Sequence, residues 1–281
     1  MLSFSIWSLI EAVSIWLTSW IDTFIIGSVL NQYYLGLYKT SITMVNSLMA
    51  LISSSIIPVL FSTLSRLQND DIKFTSIYFK FQRLVSIIAF PLGIGVFLYR
   101  DLATEIILGS QWRESSNIVG IWALTSSIMV VFSNFNSEVY RSKGNPKLSF
   151  LSQILHLLFL IPACIISASY GFWPLVYTRS LVRIQGILVG FILMKFFIGI
   201  PVFKTIRNVA QTAISAIIMG ILGYLLKQVN NGSLWSFLSI IICIIIYFGI
   251  LLIFPSMRKE IFNLVNNLIP KGIRKFKIKK Y

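Results

Sequence analysis

An all-α integral membrane fold of about eight transmembrane helices is what this sequence predicts, on three observations. Hydrophobic residues make up 56% of the chain, mean hydropathy is +0.82 and only 12% of residues are charged, about half the charged share of a soluble domain. Eight apolar runs, each long enough to cross a bilayer, are separated by short connections, of which residues 100–116 form the longest on its side. The third observation is where the cations sit. A formal charge of +15 could suggest a nucleic-acid partner, but Lys and Arg gather at the ends of apolar runs and in the tail. That is the pattern of cytoplasmic loops, so no nucleic acid is expected.

The first run, about Phe4–Val29, has no basic n-region, contains Glu11 and is followed by no small-residue cleavage site, so it is expected to remain as a span. Glu11 and Asp22 are eleven residues apart, close to three helical turns, and fall on nearly one stripe. They fit an acidic stripe facing a lumen, or partners for intramembrane arginines, and Asp22 also fits an interfacial position. Ser14, Thr18 and Ser19 are close enough along the helix to satisfy either carboxylate within a structural polar seam. The second run, Leu35–Leu64, carries Ser53, Ser54, Ser55 and Pro58. Small hydroxylated residues suit close helix packing and also a polar path. Pro58, Pro91 and Pro162 free backbone carbonyls within spans and can kink them.

Residues 65–80 form a loop in which Asn69-Asp70-Asp71 reads as a turn and a helix start; a metal pair would need further acids nearby, and none is there. The third span is Phe81–Tyr99. After it, Leu102, Ala103, Ile106 and Ile107 recur at helical spacing and predict a short surface helix ending at Gly109. Spans four to eight are Asn117–Tyr140, Leu148–Tyr170, Trp173–Phe197, Ala210–Leu226 and Leu234–Phe254. Trp112, Trp173 and Trp235 stand at helix ends, as an aromatic belt places them. Past Pro255, apolar residues from Ile261 to Ile269 repeat at helical spacing and predict an interfacial helix. KGIRKFKIKKY follows, and each of its cations is worth about 1 kcal/mol near an anionic leaflet.

Orientation follows from the cations. With the N-terminus cytoplasmic, 18 of the 24 Lys and Arg fall on the inner side and four on the outer side; without the tail the balance is ten to four. Both termini are therefore expected in the cytoplasm. Cys164 and Cys243 lie inside apolar runs and read as buried hydrophobes, with no disulfide or metal spacing. His156, the single histidine, fits a satisfied interhelical hydrogen bond better than a proton relay.

Two cations remain, and both lie within the span Trp173–Phe197. Arg179 and Arg183 are four residues apart, on one face and one turn above each other. A cation at bilayer depth costs roughly 2.5–3.5 kcal/mol on insertion scales. One reading is that the pair lines a cavity and attracts an anion, phosphate being suited to a guanidinium fork. The other is snorkelling, open to Arg179 near the span's end, or pairing with an acid on a neighbouring helix. No nucleophile motif, phosphate-cradling glycine loop, HExxH or CxxC occurs, so neither an enzyme nor a cofactor is expected. An integral-membrane polymerase or ligase would need a large outer loop bearing catalytic groups. Residues 100–116 offer only Arg100, Asp101, Glu105, Arg113 and Glu114.

An ordered series of short segments carries a family resemblance. It runs through Asp22-Thr23-Phe24-Ile25-Ile26-Gly27, Leu35-Gly36-Leu37-Tyr38, Ile57-Pro58-Val59-Leu60-Phe61-Ser62 and Leu64-Ser65-Arg66-Leu67-Gln68-Asn69-Asp70. Phe90-Pro91-Leu92, Gly109-Ser110-Gln111-Trp112 and Ser142-Lys143-Gly144-Asn145-Pro146 complete it. Over these roughly 125 residues the chain resembles the polysaccharide-exporting flippases of the MOP (multidrug, oligosaccharidyl-lipid, polysaccharide) superfamily, of the O-antigen, colanic-acid and teichuronic-acid type. Beyond Pro146 the likeness is mainly hydropathic.

The resemblance implies two facing six-helix bundles, often with two extra C-terminal helices. It places residues 1–197 as the second bundle, 198–257 as the extra pair and 258–281 as a basic cytoplasmic tail. The first bundle has no counterpart in the chain, which opens within a few residues of its first span. The implied activity is alternating-access transport of polyprenyl-pyrophosphate-linked oligosaccharide across the cytoplasmic membrane, for lipopolysaccharide or another surface polysaccharide. Membrane lipid and a separately encoded first lobe are the implied partners. Arg179, Arg183, Glu11 and Asp22 are the candidate substrate-binding residues by their chemistry, with no metal site. Other members of the superfamily are cation-coupled drug or ion antiporters, in which intramembrane acids would bind the coupling ion. Glu11 and Asp22 keep that alternative open.

Overall fold

The structure, a computed structural model, describes residues 2–230 and 232–268, and among them eight helical segments are long and apolar enough to cross a membrane. The first two spans are α1 (Leu2–Val29) and α2 (Gln32–Arg66). The Asn31 side chain caps α2, accepting the Tyr34 N–H at 3.0 Å. The third span, α3 (Asp71–Leu98), starts well before the expected Phe81. Asp70 caps it by accepting the Lys73 N–H at 3.0 Å, so the adjacent aspartates do mark a helix start. That backbone bond, with the Lys73 ammonium beside it, holds the Asp70 carboxyl below its usual range.

The short surface helix is present as α4 (Arg100–Leu108), ended by Gly109 at φ 94°, a conformation that favours glycine. A tight turn, Ser110–Ser115, leads into the fourth span, which departs from the expectation of one helix over Asn117–Tyr140. It is broken into α5 (Ser116–Phe132) and α6 (Asn136–Ser142). The break falls on Ser133-Asn134-Phe135-Asn136, where Ser and Asn side chains compete with the helix for backbone groups. Next come α7 (Pro146–Ser169), with Pro146 in its first turn, and α8 (Phe172–Leu193), which runs on through a π turn at Met194–Ile198. The seventh span, α9 (Val202–Val229), is longer at both ends than Ala210–Leu226, and α10 (Ser233–Ile253) is the eighth. Helix α11 (Pro255–Leu268) begins ahead of residue 258, so a tail boundary there falls inside a helix. The basic run KGIRKFKIKKY lies outside the described residues.

Packing follows one path through the bundle. Helix α1 lies on α7, α7 on α8, α8 on α5, and α5 on α3; α2 closes against α3 and α5. Helix α9 then packs on the other side of α3, and α10 on α9. The α3–α9 approach is close: the Ser86 and Thr212 hydroxyls are 2.8 Å apart, and a Cβ at Gly223 would come within 3.1 Å of Leu98 and Cys243 side-chain atoms. Large apolar side chains such as Trp16, Phe24, Leu51, Ile88 and Phe196 remain exposed on the outside, where lipid would solvate them.

Contacts among the connections divide the bundle into two ends. At one end Lys143 bridges Asp71 and the Gln68 carbonyl, and Arg83 reaches Asn208 and Glu260. At the other, Tyr33 donates to Glu114, Tyr34 stacks on Phe172 and Lys227 donates to the Leu98 carbonyl. Trp112, Trp173 and Trp235 belong to this second end, each at or beside a helix start. Cys164 and Cys243 are both buried free thiols.

Candidate functional site

Span α8 brings both intramembrane arginines to the seam where α1, α2 and α5 meet it, and gives them different surroundings. Arg179 is 5% exposed. Its Nε donates to Asp22 Oδ2 at 2.7 Å and its Nη2 to the Thr18 carbonyl at 3.3 Å. The same carboxylate oxygen accepts the Tyr38 hydroxyl at 2.7 Å, and Asp22 Oδ1 accepts the Thr23 N–H at 2.7 Å. Both oxygens of this carboxylate are used, and α1, α2 and α8 are tied at one point. A buried charge is tolerable only when paired and hydrogen-bonded in this way. Of the readings for Asp22, the counter-ion is the one this geometry matches. Arg179 therefore serves the fold here and presents no free cation to a cavity.

Arg183, one turn on, is half-buried and has no carboxylate within ion-pair distance among the described residues. Its guanidinium lies over the Trp122 ring, with Cζ 3.4 Å from the centroid. Nη1 donates to Ser126 Oγ at 2.6 Å and lies 3.4 Å from Thr125 Oγ1. The ring in turn is fixed, since Trp122 Nε1 donates to Asn46 Oδ1 at 3.1 Å and Tyr38 meets it edge-on at 6.4 Å. A cation on a tryptophan face gains perhaps 0.5–2 kcal/mol, enough to hold its orientation without neutralising it. Polar groups that remain accessible nearby include exposed Asn46 on α2 and half-buried Thr125 on α5. Such an arrangement can offer guanidinium N–H groups to an anion, with a hydroxyl- and amide-bearing wall beside it.

The two acids of α1 do not form one site. Eleven residues separate them, about 16 Å along a helix, and Glu11 faces α6 instead of α8. It is 2% exposed; among the described residues neither of its carboxylate oxygens has a hydrogen-bond partner, and Arg141 Nε is 3.8 Å away. Arg141 is engaged at 2.9 Å by Glu138. His156 is satisfied between helices, its Nδ1 lying 3.0 Å from Gln185 Oε1, as the sequence suggested.

Tyr38, Trp122 and Asn46 take part in the arginine seam and were not singled out by sequence reasoning. One signal for Trp122 was available. It lies within a span and away from the helix-end belt, and an indole N–H at such depth needs a partner.

Comparison with known proteins adds three findings. Residues 1–117 match the family model described as "Polysaccharide biosynthesis protein". Among curated proteins, the chain is 21% identical over 279 residues to a probable low-salt glycan biosynthesis flippase, Agl15, of Haloferax volcanii, covering 95% of this chain and 57% of that protein. It is 24% identical over 170 residues to an uncharacterized membrane protein in cps region of Klebsiella pneumoniae, covering 60% of this chain and 35% of that one. Among solved structures, lipid II flippase MurJ in its inward closed conformation superposes with a TM-score of 0.71 at 19% identity, over 87% of this chain and 52% of that chain. The chain thus spans about half the length of these relatives, or less. The matching family model is thus one of polysaccharide biosynthesis, one curated relative is a probable flippase of glycan biosynthesis, and the fold is similar to that of a lipid II flippase.

Proposed function

We propose that the chain is the second lobe of a transporter that flips polyprenyl-pyrophosphate-linked oligosaccharide across the cytoplasmic membrane for surface polysaccharide synthesis. Its first six spans form the lobe, α9 and α10 are the additional pair, and both termini face the cytoplasm. The observation that carries the reading is Arg183: an intramembrane guanidinium without a carboxylate, held flat on Trp122 beside hydroxyl groups. Its neighbour Arg179 is already neutralised by Asp22, so the pair contributes one available positive charge for a pyrophosphate. The similarity to named flippases supports the substrate class, lipid-linked precursors.

Alternating access needs two bodies rocking about a shared site, and one lobe supplies one wall. A separately encoded first lobe is the expected partner, because two identical lobes would set Arg183 against Arg183. The test is complementation of a flippase-null strain with this chain alone and with a first-lobe chain added. Rescue only with both is expected; full rescue by the 281-residue chain alone would overturn the half-transporter reading.

A second reading, cation-coupled antiport, is favoured by one observation, the buried carboxylate of Glu11, which forms no hydrogen bond among the described residues and has only a long ion pair to Arg141. Under it, Glu11→Gln should abolish the dependence of transport on the ion gradient while Arg183→Ala should not. The reverse pattern supports the flippase assignment. A polymerase or ligase draws no support from residues 100–115, whose Glu105 and Glu114 are engaged by Arg113 and Tyr33.

A further inference from the structure

At the end of the bundle where Lys143 bridges Asp71 and Gln68, a pocket of about 700 Å³ opens between α3, the α8–α9 connection, α9 and α11. One face of α3 builds its long wall, because Asp71, Thr75, Ser76, Phe79, Lys80 and Arg83 fall at helical spacing. Across from it the chain leaves α8 through Gly199, whose φ of 82° favours glycine. Apart from its chain neighbours, no atom lies within 4 Å of the place a Cβ would take there, so the turn leaves the space open. Helix α9 brings Lys204 and Asn208 to the same space, and α11 brings Glu260.

Part of this lining is already satisfied. Arg83 donates to Asn208 Oδ1 from Nε at 3.2 Å and from Nη2 at 2.7 Å, and to Glu260 Oε1 from Nη1 at 2.8 Å. Asn208 Nδ2 in turn donates to the Phe79 carbonyl at 2.9 Å and to Gln82 Oε1 at 3.0 Å. Arg83 and Glu260 cancel, as do Lys143 and Asp71 at 2.6 Å. Lys80 and Lys204 have no such counter-ion among the described residues. All nine Asp and Glu of the chain are described; eight are in ion pairs with other cations, and the ninth, Glu114, accepts from Tyr33. Lys204 Nζ has an aromatic neighbour, the Phe79 ring centroid at 5.3 Å. After pairing, the pocket keeps two ammonium charges and the hydroxyls of Thr75 and Ser76. That combination suits an anion, and phosphate is the common one that offers several acceptors to hydroxyl and ammonium donors together.

The rim identifies the source of that phosphate. Ile72 lines the pocket and is 85% exposed, and Phe203, beside Lys204, is 75% exposed. Apolar side chains of that size stand uncovered where lipid solvates them. We propose that the pocket holds the headgroup phosphate of an anionic phospholipid between Lys80 and Lys204, as basic pockets between membrane helices do. Since α3, α9 and α11 each supply part of the lining, a bound headgroup ties the ends of these three helices together. The site needs neither the Arg183 seam nor the transport reading.

The test is native mass spectrometry of the full chain in detergent, titrated with phosphatidylglycerol. One tightly retained phosphatidylglycerol per chain is expected, in preference to phosphatidylcholine. Lys80→Gln and Lys204→Gln should each weaken its binding about fivefold, and the double variant about twenty-five-fold, as two independent ammonium contacts would. Lys80→Arg/Lys204→Arg, which keeps both charges, should bind as the native chain does. Arg207→Gln removes an exposed cation of α9 that does not line the pocket, and should change nothing. A loss in Arg207→Gln equal to that in Lys204→Gln would mean diffuse surface attraction and would overturn the proposal. So would equal retention of phosphatidylcholine, or undiminished binding in the double Gln variant. Displacement of the lipid by inorganic phosphate would reassign the pocket to a free anion and overturn it as well.

Discussion

Removing the Asp22 carboxylate leaves Arg179 charged at 5% exposure with a carbonyl as its remaining acceptor. Breaking one partner of a buried pair costs about 3–5 kcal/mol, whereas replacing both with neutral groups is often nearly free. Asp22→Ala and Arg179→Ala should therefore each lower the unfolding midpoint strongly, and Asp22→Asn/Arg179→Gln should regain most of the loss. Arg183 calls for the opposite pattern. Its partners are two hydroxyls and a ring, all of which survive its removal, so Arg183→Ala should leave protein levels near normal. Transport by the complete transporter should fall roughly ten- to a hundredfold, the range for a lost hydrogen bond to a charged group, and far more than for Lys277→Ala in the tail. Arg183→Lys should recover only part of it, since an ammonium keeps the charge and loses the fork. Intact transport in Arg183→Ala would remove the phosphate contact from the proposal. Both arginines were legible in the sequence, by their spacing within an apolar run. Their division of labour was not, because Asp22 is 157 residues from Arg179 and Trp122 is on a third helix.

Element boundaries were legible wherever a local signal set them. Asp70 starts α3, Pro146 starts α7 and Gly109 ends α4, each through backbone chemistry that a single residue type imposes. Helix α3 was drawn too short because Lys73 and Lys80 read as loop residues, while a helix extends beyond the hydrocarbon without difficulty. The break between α5 and α6 was hidden for the opposite reason: its Ser-Asn-Phe-Asn signal sits inside a run whose apolar length suggested continuity. Docking of α11 was also beyond the sequence, since Arg83 and Glu260 come together only in the fold. That pair is 2.8 Å long and about a quarter exposed on each side, so it should contribute no more than about 1 kcal/mol. Arg83→Ala should accordingly leave global stability almost unchanged while amide exchange in Pro255–Ile261 accelerates. Unchanged exchange there would mean that apolar contact of Met257 and Ile261 alone seats the helix.

The bundle as a whole assigns each connection to one of two ends, and the positive-inside count predicts which end faces the cytoplasm. Reporter fusions after Asn69, Asn145 and Asn208 should report cytoplasm, and fusions near Ser110 and Asn230 the outside. One inversion among these would undo the orientation and the span count together. The eight crossings were legible from hydropathy alone, whereas the order in which they pack was not, because nothing local in α1 announces that its main neighbour is α7. That order has a consequence in time. During synthesis α1 enters the membrane with the Asp22 carboxylate long before its counter-ion exists, since Arg179 is made 157 residues later. Through that interval the first span carries an unmatched charge and has little reason to leave the insertion machinery for lipid. The sixth span should therefore act as a release signal for the first. A chain stopped at Tyr170 should be retained or degraded, and Asp22→Asn should rescue its accumulation; equal levels with and without that substitution would show that α1 leaves on its own.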